Sequence, residues 1–199
     1  MATDQQHVVK IDLGCGSRKM QGAIGLDSAP VPGVDVLADM RCGLPFKDSS
    51  ADALYVYHVL EHFDDFLGIM YEIWRVCRHG AKVFVKVPHA ACPFVTWKDP
   101  THKRGLSIAT FAYFDDTYFD GAAFSYYSPA RFRIERATLN FTLTDRAVDP
   151  QLSPMRRILN PIFHTLANRN REWQYACERF WGPIVGIEEA VLVLRALKD

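Results

Sequence analysis

The fold of this chain is decided near its amino terminus by Val8-Val9-Lys10-Ile11-Asp12-Leu13-Gly14-Cys15-Gly16. This short apolar run is typical of a buried strand and breaks into Gly-Cys-Gly. A second apolar run, Ala23 to Leu26, is followed by Asp27. Glycines let the backbone turn sharply and approach a ligand, and an acid after the next strand can accept hydrogen bonds from ribose hydroxyls. The two runs predict an edge that binds a nucleoside.

The rest of the first half alternates between strand-like and helix-like stretches. Strands are predicted at Val34–Leu37, Ala53–Tyr57 and Ala81–Val87, and a helix at Phe66–Cys77 that ends at His79-Gly80. This alternation predicts an α/β fold, Rossmann-like and doubly wound, with a mostly parallel sheet. Too few residues separate the first two strands for a crossover helix, so a single turn at residues 17–20 is expected there.

The second half has a different pattern. Strands are predicted at Arg131–Leu143 and Ala190–Leu197, as an antiparallel pair that completes the sheet. The whole chain, 1–199, is expected to form one domain. Residues 90–128 and 150–183 are then insertions over the ligand edge. They either recognise the substrate or only cover the sheet.

Composition narrows the class of protein. The chain has 23 basic and 23 acidic residues, so no overall field favours nucleic acid. Its five cysteines lack the CxxC spacing, which argues against a zinc site or a disulfide framework and fits a reducing cytosol. No signal peptide and no apolar run long enough to span a bilayer is found. A cytoplasmic protein is expected.

The pattern after the glycines selects among nucleoside ligands. A dinucleotide fingerprint needs a third glycine where this chain has Lys19, and its acid comes later than Asp27. The sequence also lacks the GxxxxGK[ST] pattern of a phosphate-binding loop. The ligand is therefore expected to contain ribose without pyrophosphate. S-adenosylmethionine (SAM) fits this description.

A series of motifs follows in order: Asp39-Met40, Leu44-Pro45-Phe46, Asp52, His58-Val59-Leu60-Glu61-His62, Glu72-Ile73-x-Arg75-Val76 and Gly80. With this series, residues 8–89 resemble the class I SAM-dependent methyltransferases, in particular the small-molecule and glycan methyltransferases with an LGCG loop. The resemblance implies a Rossmann-like fold, SAM as cofactor and methyl transfer.

The resemblance also implies roles for particular residues. The glycine loop would hold the methionine part of SAM, the acid after strand two its ribose, and the acid after strand three its adenine amino group. Asp12 has two open interpretations, since it either caps loop amides or contacts the methionine amino group. The expected cofactor-binding residues are Asp12, Gly14, Cys15, Gly16, Asp27, Asp39, Met40 and His58.

One motif has a competing interpretation. His58-x-x-Glu61-His62 matches the HxxEH pattern of a zinc-peptidase group. It follows a predicted strand, however, and the methyltransferase series already accounts for it. Glu61 and His62 would then belong to the first turn of a helix, where an acid is favoured by the helix dipole. No metal site is predicted.

Catalytic candidates lie in the stretch from Asp99 to Arg104. Because the imidazole of histidine can gain or lose a proton near neutrality, His102 is a candidate to take a proton from an acceptor hydroxyl or amine, with Asp99 beside it in the sequence pattern. His89 is a second candidate. The alternative is a polar loop in which Asp99 and Thr101 satisfy local backbone amides.

Two further stretches bear on the acceptor. The aromatic residues from Phe111 to Tyr127 either form an acceptor pocket or pack as a lid. The segment from Arg156 to Arg171 is compatible with contact to an anionic lipid surface or a phosphorylated sugar, although a solvated helix face explains it as well. The predicted function is transfer of a methyl group from SAM to an oxygen or nitrogen atom of a small molecule or saccharide. The alternative is a catalytically inactive SAM-binding partner subunit.

Overall fold

The computed structural model describes residues 8–118, 126–141 and 154–198, with only the backbone of 154–158. Its core is one sheet with the strand order β3-β2-β1-β4-β5-β7-β6. Strands β1 to β5 are parallel, and β7 runs antiparallel to both β5 and β6. The predicted Rossmann-like, mostly parallel sheet with an antiparallel final pair is confirmed. The strands are β1 Lys10–Leu13, β2 Ile24–Asp27, β3 Val36–Leu37, β4 Ala51–Tyr57, β5 Cys77–Pro88, β6 Arg131–Asn140 and β7 Glu189–Leu197.

The connections between the first strands are short. Between β1 and β2 the chain makes two tight turns, in which the Arg18 N–H donates to the Cys15 carbonyl and the Ala23 N–H to the Met20 carbonyl. This replaces the single turn expected at residues 17–20. Between β3 and β4 lies a 3₁₀ turn at Met40–Cys42, and the helix α1, Phe66–Val76, connects β4 to β5.

Helix α1 agrees with the predicted Phe66–Cys77 to within one residue, but β5 begins at Cys77 and not at the predicted Ala81. The predicted end at His79-Gly80 is wrong, because Cys77 already pairs with Ala51 of β4 and so begins β5. The pairing gives the backbone of this segment hydrogen-bond partners that a further helical turn would remove. Gly80 has φ +79° and lies where the register between β4 and β5 shifts. Gly80 therefore permits the irregular backbone at this point of β5.

The second half consists of short helices around the antiparallel strands. They are α2 Pro93–Trp97, α3 Ile108–Ala112, α4 Pro154–Ala167, α5 Arg171–Ala176 and α6 Gly182–Val185, with a π-type turn at Cys177–Trp181. Some predictions fall outside the described residues: Phe119 and Phe124 of the aromatic stretch, and the side chains of Arg156 and Arg157. Among the helices of the described residues, none has the length and apolar character needed to cross a membrane.

The register of the sheet places several loops at one edge. Leu13, the last residue of β1, pairs with Leu26 on one side and Val56 on the other. Because these strands are parallel, the residues that follow them lie side by side. The strand order also reverses here, with β2 and β3 on one side of β1 and β4 and β5 on the other. Ligands of such sheets bind outside the carboxyl ends of the strands at this reversal.

Candidate functional site

A cleft of about 580 Å³ opens at this reversal. We call it the glycine-loop cleft. It brings together Asp12, Gly14, Cys15, Gly16 and His58, all predicted as cofactor-binding residues. Its other lining residues are Ser17, Arg18, Met20, Tyr57 and Lys86. A loop from β1 and the ends of β4 and β5 therefore share one concave surface.

Gly14 is required both by its backbone conformation and by its neighbour. Its φ is +65°, in the left-handed region that residues with a Cβ rarely adopt. A Cβ at this position would lie 2.4 Å from Cγ2 of Val59. The Gly14 N–H donates to the Leu26 carbonyl at 2.8 Å, which fixes the loop to β2. The loop thus passes close to β4 only because it lacks a side chain.

Asp27 joins the glycine loop to the end of β2. Its Oδ2 accepts a hydrogen bond from the Gly16 N–H at 2.9 Å, and its Oδ1 accepts one from the Ala29 N–H at 2.9 Å. A carboxylate offers about four lone-pair positions. Asp27 therefore positions the loop and keeps the capacity to accept hydrogen bonds from a diol.

Asp12 is a buried acid at the floor of the cleft. Its side chain is 4% exposed, and its Oδ2 accepts a hydrogen bond from the Met20 N–H at 2.7 Å. Burial raises the pKa of its carboxyl above the usual range, and the negative charge of Asp27 adds to this shift. Asp12 thus caps a loop amide and also lines the cleft, so both interpretations made from the sequence are compatible with its position. Burial also raises the pKa of the neighbouring Cys15 thiol, which fits a small packing residue better than a nucleophile.

Three predicted residues do not line the glycine-loop cleft: Asp27, which is bonded to its loop through Gly16, and Asp39 and Met40. Asp39 caps the 3₁₀ turn, and its two carboxylate oxygens accept hydrogen bonds from the backbone N–H, Nε and Nη2 of Arg41 at 2.8–3.1 Å. These bonds lower the pKa of the Asp39 carboxyl. Met40 lines a separate cavity of about 470 Å³. An adenine amino group would have to displace the Arg41 side chain to reach Asp39.

His58 is held between two buried acids. It follows β4 with φ +55°, and its Nε2 lies 3.2 Å from Oε1 of Glu189 while its Nδ1 lies 3.6 Å from Oε1 of Glu61. Burial alone would lower the pKa of His58, but hydrogen bonding and attraction to the two carboxylates outweigh it and raise the pKa to about 9. His58 is therefore a cation at neutral pH, placed where the cleft meets β4.

Beyond His58 lies a second group of side chains, Glu61, His62 and His102, which we call the Glu61 cluster. Nε2 of His102 is 3.9 Å from Oε1 of Glu61. The rings of His62 and His102 meet edge to face at 4.8 Å between centroids. The predicted catalytic residue His102 does not line the glycine-loop cleft and is connected to it through Glu61 and His58.

Asp99 makes the local contacts that the sequence offered as an alternative. Its Oδ1 accepts hydrogen bonds from the Thr101 N–H at 2.8 Å and the Thr101 hydroxyl at 2.6 Å. These bonds lower the pKa of the Asp99 carboxyl. Its other oxygen, Oδ2, lies 4.0 Å from Nε2 of His102. The structure thus brings the two predicted catalytic residues together at ion-pair distance.

His89 is fully occupied by structural contacts. Its Nδ1 accepts a hydrogen bond from the Ala91 N–H at 3.0 Å, so its Nε2 carries the proton. That nitrogen lies 2.8 Å from Oε1 of Glu178. His89 is also only 1% exposed. It links β5 to the helical segment near the carboxyl terminus and has no lone pair left for an acceptor.

Glu189 and the full role of Glu61 were not predicted from the sequence. Glu189 is the first residue of β7, is completely buried, and also accepts a hydrogen bond from Asn140 Nδ2 at 3.0 Å. The signal was an acid at the start of the apolar run 190–194. Because β7 is antiparallel to β5, its first residue lies at the same edge as the carboxyl ends of the parallel strands.

Comparison with known proteins agrees with this geometry. Residues 11–85 match a family described as a methyltransferase domain. Over these residues the match confirms the predicted resemblance to the class I SAM-dependent methyltransferases. The predicted enzyme class is thereby confirmed, methyl transfer is its general activity, and the family implies SAM as the cofactor and a small molecule or macromolecule as acceptor. No curated protein matches the chain.

Solved structures with the same fold are only distantly similar in sequence. A chain of a Haloferax volcanii complex that contains the Trm112 methyltransferase activator has 16% identity and a TM-score of 0.57, over 96% of this chain and 84% of that one. An Archaeoglobus fulgidus SAM-dependent methyltransferase has 14% identity and a TM-score of 0.53, over 96% and 86%. The Bacillus subtilis protein YcgJ has 16% identity and a TM-score of 0.55, over 97% and 93%. These likenesses support the fold of nearly the whole chain.

Proposed function

We propose that this methyltransferase binds SAM in the glycine-loop cleft and transfers its methyl group to an oxygen or nitrogen atom of a small molecule or saccharide. The observation that carries the proposal is the bond between the Gly16 N–H and Asp27 at the edge where the strand order reverses. This bond connects the glycine loop, whose backbone faces the cleft, with an acid that can accept hydrogen bonds from ribose hydroxyls. Location in the cytoplasm stays a prediction from the sequence.

The charges around the cleft match the methionine end of SAM. This end carries an ammonium and a carboxylate. Asp12 offers a buried carboxylate for the ammonium, and the cleft is also lined by the basic residues Arg18 and Lys86, which suit a carboxylate. Gly14, Cys15 and Gly16 would lie along the chain between these groups, with His58 at the end of the cleft that meets β4.

The nucleoside end is proposed to extend toward β2 and β3. The lone pairs of Asp27 that are not used by Gly16 and Ala29 would accept hydrogen bonds from the ribose diol. Asp39 and Met40 would receive the adenine ring once Arg41 moves aside. The Arg41 side chain is 74% exposed, so its displacement leaves the guanidinium solvated.

Methyl transfer is a direct displacement, in which the acceptor atom attacks the methyl carbon opposite the sulfur and S-adenosylhomocysteine leaves. Most of the rate comes from holding the two reactants in line. A proton leaves the acceptor, and His102 with Asp99 is the proposed base. Nδ1 of His102 donates to the Thr96 carbonyl at 2.5 Å, so in the neutral ring the lone pair is on Nε2. His58 is unsuited to this role because its pKa of about 9 keeps it protonated at neutral pH.

A second cavity, which shares no lining residue with the glycine-loop cleft, offers groups that could hold an acceptor rich in hydroxyl groups if it reaches the methyl group of SAM. It has a volume of about 460 Å³ and lies between the start of α1 and α3. Its lining combines the acids Asp64 and Asp65 with Arg104 and Tyr113. Carboxylates and a guanidinium can hydrogen-bond many hydroxyls, and an aromatic ring can cover an apolar face. This combination favours a saccharide among the acceptor classes.

The test measures SAM binding by calorimetry and formation of S-adenosylhomocysteine with a panel of sugars, lipid-linked saccharides and other metabolites. Asp27→Ala should weaken SAM binding severely, while Asp52→Ala, an acid at the opposite edge of the sheet, should leave it unchanged. His102→Ala should slow turnover far more than it weakens SAM binding. SAM binding without product from any acceptor class would instead favour the inactive partner subunit.

A further inference from the structure

The two histidines of the Glu61 cluster have their lone pairs fixed by neighbouring groups. The Thr101 hydroxyl donates its hydrogen to Asp99, so its oxygen can only accept from Nδ1 of His62, at 3.0 Å. Nδ1 of His102 likewise donates to the Thr96 carbonyl. Both neutral rings therefore carry their lone pair on Nε2. Metal-binding histidines are oriented in this way, with the other ring nitrogen bonded to a carbonyl, a carboxylate or a similar acceptor.

The third member of the cluster is a buried carboxylate that lacks a donor. Glu61 is 1% exposed, and neither of its side-chain oxygens has a hydrogen-bond partner. A buried carboxylate normally accepts several hydrogen bonds or binds a cation, because leaving it bare is costly. The nearest ring nitrogens stand off from its Oε1, with Nδ1 of His58 at 3.6 Å and Nε2 of His102 at 3.9 Å. Three electron-pair donors thus converge with no hydrogen between them.

We propose that Glu61, His62 and His102 bind one divalent transition-metal ion, for which zinc is the best chemical match. Their ligand atoms all lie within 4.8 Å of one another, and small side-chain rotations would bring them within the separation of about 4 Å or less that one ion at about 2 Å from each requires. Two imidazoles and one carboxylate form a donor set typical of zinc sites that keep a fourth position open. Thr101 and Thr96 orient the two imidazoles by accepting hydrogen bonds from Nδ1 of His62 and Nδ1 of His102.

This arrangement differs from the zinc-peptidase pattern read from the sequence. That pattern requires His58 and His62 on one face of a helix. Here His58 follows a strand with φ +55° and faces Glu189, and residues 60–62 form only a 3₁₀ turn. The second histidine comes instead from His102, forty residues further along the chain. Only the folded structure places it beside Glu61.

The bound ion would leave one coordination position for water or for a heteroatom of the acceptor. It would occupy Nε2 of His102, so the proposed role of His102 as a base applies to the metal-free protein only. With the ion in place, the metal itself would acidify the acceptor hydroxyl. Binding of the metal ion to the Glu61 cluster does not depend on the proposed methyltransferase function.

The experiment titrates zinc into tag-free protein that has been stripped with a chelator, and follows binding by calorimetry. We expect one equivalent to bind. His62→Ala and His102→Ala should each abolish this binding, and Thr101→Val should weaken it about 10- to 100-fold by releasing Nδ1 of His62. His164→Ala is the matched control, because it removes an exposed histidine of α4, and it should bind zinc like the wild type.

Absence of a stoichiometric zinc site in the wild type would overturn the proposal. In that case a proton shared between Glu61 and His102 would account for the close approach of the two side chains without a metal ion. Unchanged affinity in His62→Ala would also overturn it. Thermal melting of each metal-free variant confirms that it is folded, and if His102→Ala fails this check, His62→Ala and Thr101→Val decide. SAM binding, measured in the same samples, reports separately on the proposed function.

Discussion

The glycine-loop cleft and the Glu61 cluster lie at the same edge of the sheet but are built in opposite ways. In the cleft and the loop beside it, the acids Asp12 and Asp27 accept hydrogen bonds from backbone amides. In the cluster, Glu61 is buried without any donor and is faced by histidines. The acids of the cleft are thus satisfied in the absence of a ligand, and Asp27 keeps lone pairs for further hydrogen bonds. In the cluster, Glu61 faces the His58 cation at 3.6 Å, but its oxygens have no hydrogen-bond partner, and this is the feature on which the proposed metal site rests.

The difference teaches where each site obtains its geometry. The loop of the cleft is set within residues 12–29, because strand β1, the glycines and the end of β2 fix one another through short contacts. The cluster depends on contacts between distant parts of the chain, and its neighbour His58 depends on Glu189 at the start of β7. Substitutions should therefore affect the two regions differently.

The largest effect on stability is expected for Gly14→Ala. The new Cβ would meet Val59 at 2.4 Å, and φ +65° is unfavourable for alanine. Overpacking costs about 1–3 kcal/mol and the left-handed conformation about 1–2 kcal/mol, so the free energy of unfolding should fall by roughly 2–5 kcal/mol. Denaturant titration measures this change, and SAM binding should be lost with it.

Gly80→Ala is the matched control for this substitution. Gly80 has φ +79° but nothing within 4 Å of a new Cβ, so only the conformational cost of about 1–2 kcal/mol should appear. Equal losses in the two variants would mean that the close approach to Val59 contributes nothing and that the loop is not tightly fitted.

The next largest effect is expected for His58→Asn, which tests the charged region. Asparagine tolerates the positive φ but cannot carry the positive charge between Glu61 and Glu189. Breaking a buried ion pair costs about 3–5 kcal/mol. Because about a third of the His58 side chain is exposed, we expect the free energy of unfolding to fall by roughly 2–4 kcal/mol at neutral pH.

The pH dependence of this loss gives the sharper result. The pKa of His58 is raised to about 9, so its contribution to stability is complete below the ordinary histidine pKa of about 6.5 and is lost as the pH rises through 9. The difference in unfolding free energy between wild type and His58→Asn should therefore shrink progressively between about pH 6.5 and pH 9. A difference that stays constant up to about pH 10 would show that His58 is not a buried cation.

A smaller effect is expected from the buried acid of the cleft. Asp12→Asn should weaken SAM binding about tenfold, because a charge-assisted bond to the ammonium is lost. In the wild type, affinity should fall as the pH falls through the raised pKa of Asp12, at a higher pH than for an ordinary aspartate. Calorimetry across the acidic range measures this. The dependence should be absent in Asp12→Asn, and its persistence there would assign it to another group.

The smallest effect is expected for Arg41→Ala. This removes an exposed ion pair with Asp39, so the free energy of unfolding should not change measurably. It frees the Asp39 carboxylate for an adenine amino group, and SAM affinity should rise slightly. A clear fall in affinity would mean that Arg41 itself contacts the cofactor, and would separate Asp39 from adenine binding.

Most of the sheet could be predicted from the sequence because its strands are compact apolar runs. The early start of β5 could not, because Cys77 pairs with Ala51 of β4, and apolar periodicity does not report this pairing. His79-Gly80 carried the usual signal of a helix end, yet Gly80 serves an irregularity in β5. The local sequence pattern thus failed where pairing with a neighbouring strand determined the backbone conformation.

The two sites show the same limit. The glycine loop, Asp12 and His58 were predicted to lie together, because parallel strands bring their carboxyl ends to one edge. The convergence of Glu61 with His62 and His102 could not be derived, since it depends on how the loop after β5 folds back. Asp39 was placed by resemblance, and its engagement with Arg41 is a local contact that the strand pattern does not reveal.

The most direct test of the account is a crystal structure of the protein with S-adenosylhomocysteine. We expect density for the amino-acid end against Gly14–Gly16 beside Asp12, and the ribose hydroxyls within hydrogen-bond distance of Asp27. Density for the ligand elsewhere on the molecule, with the glycine-loop cleft filled by side chains, would contradict the account.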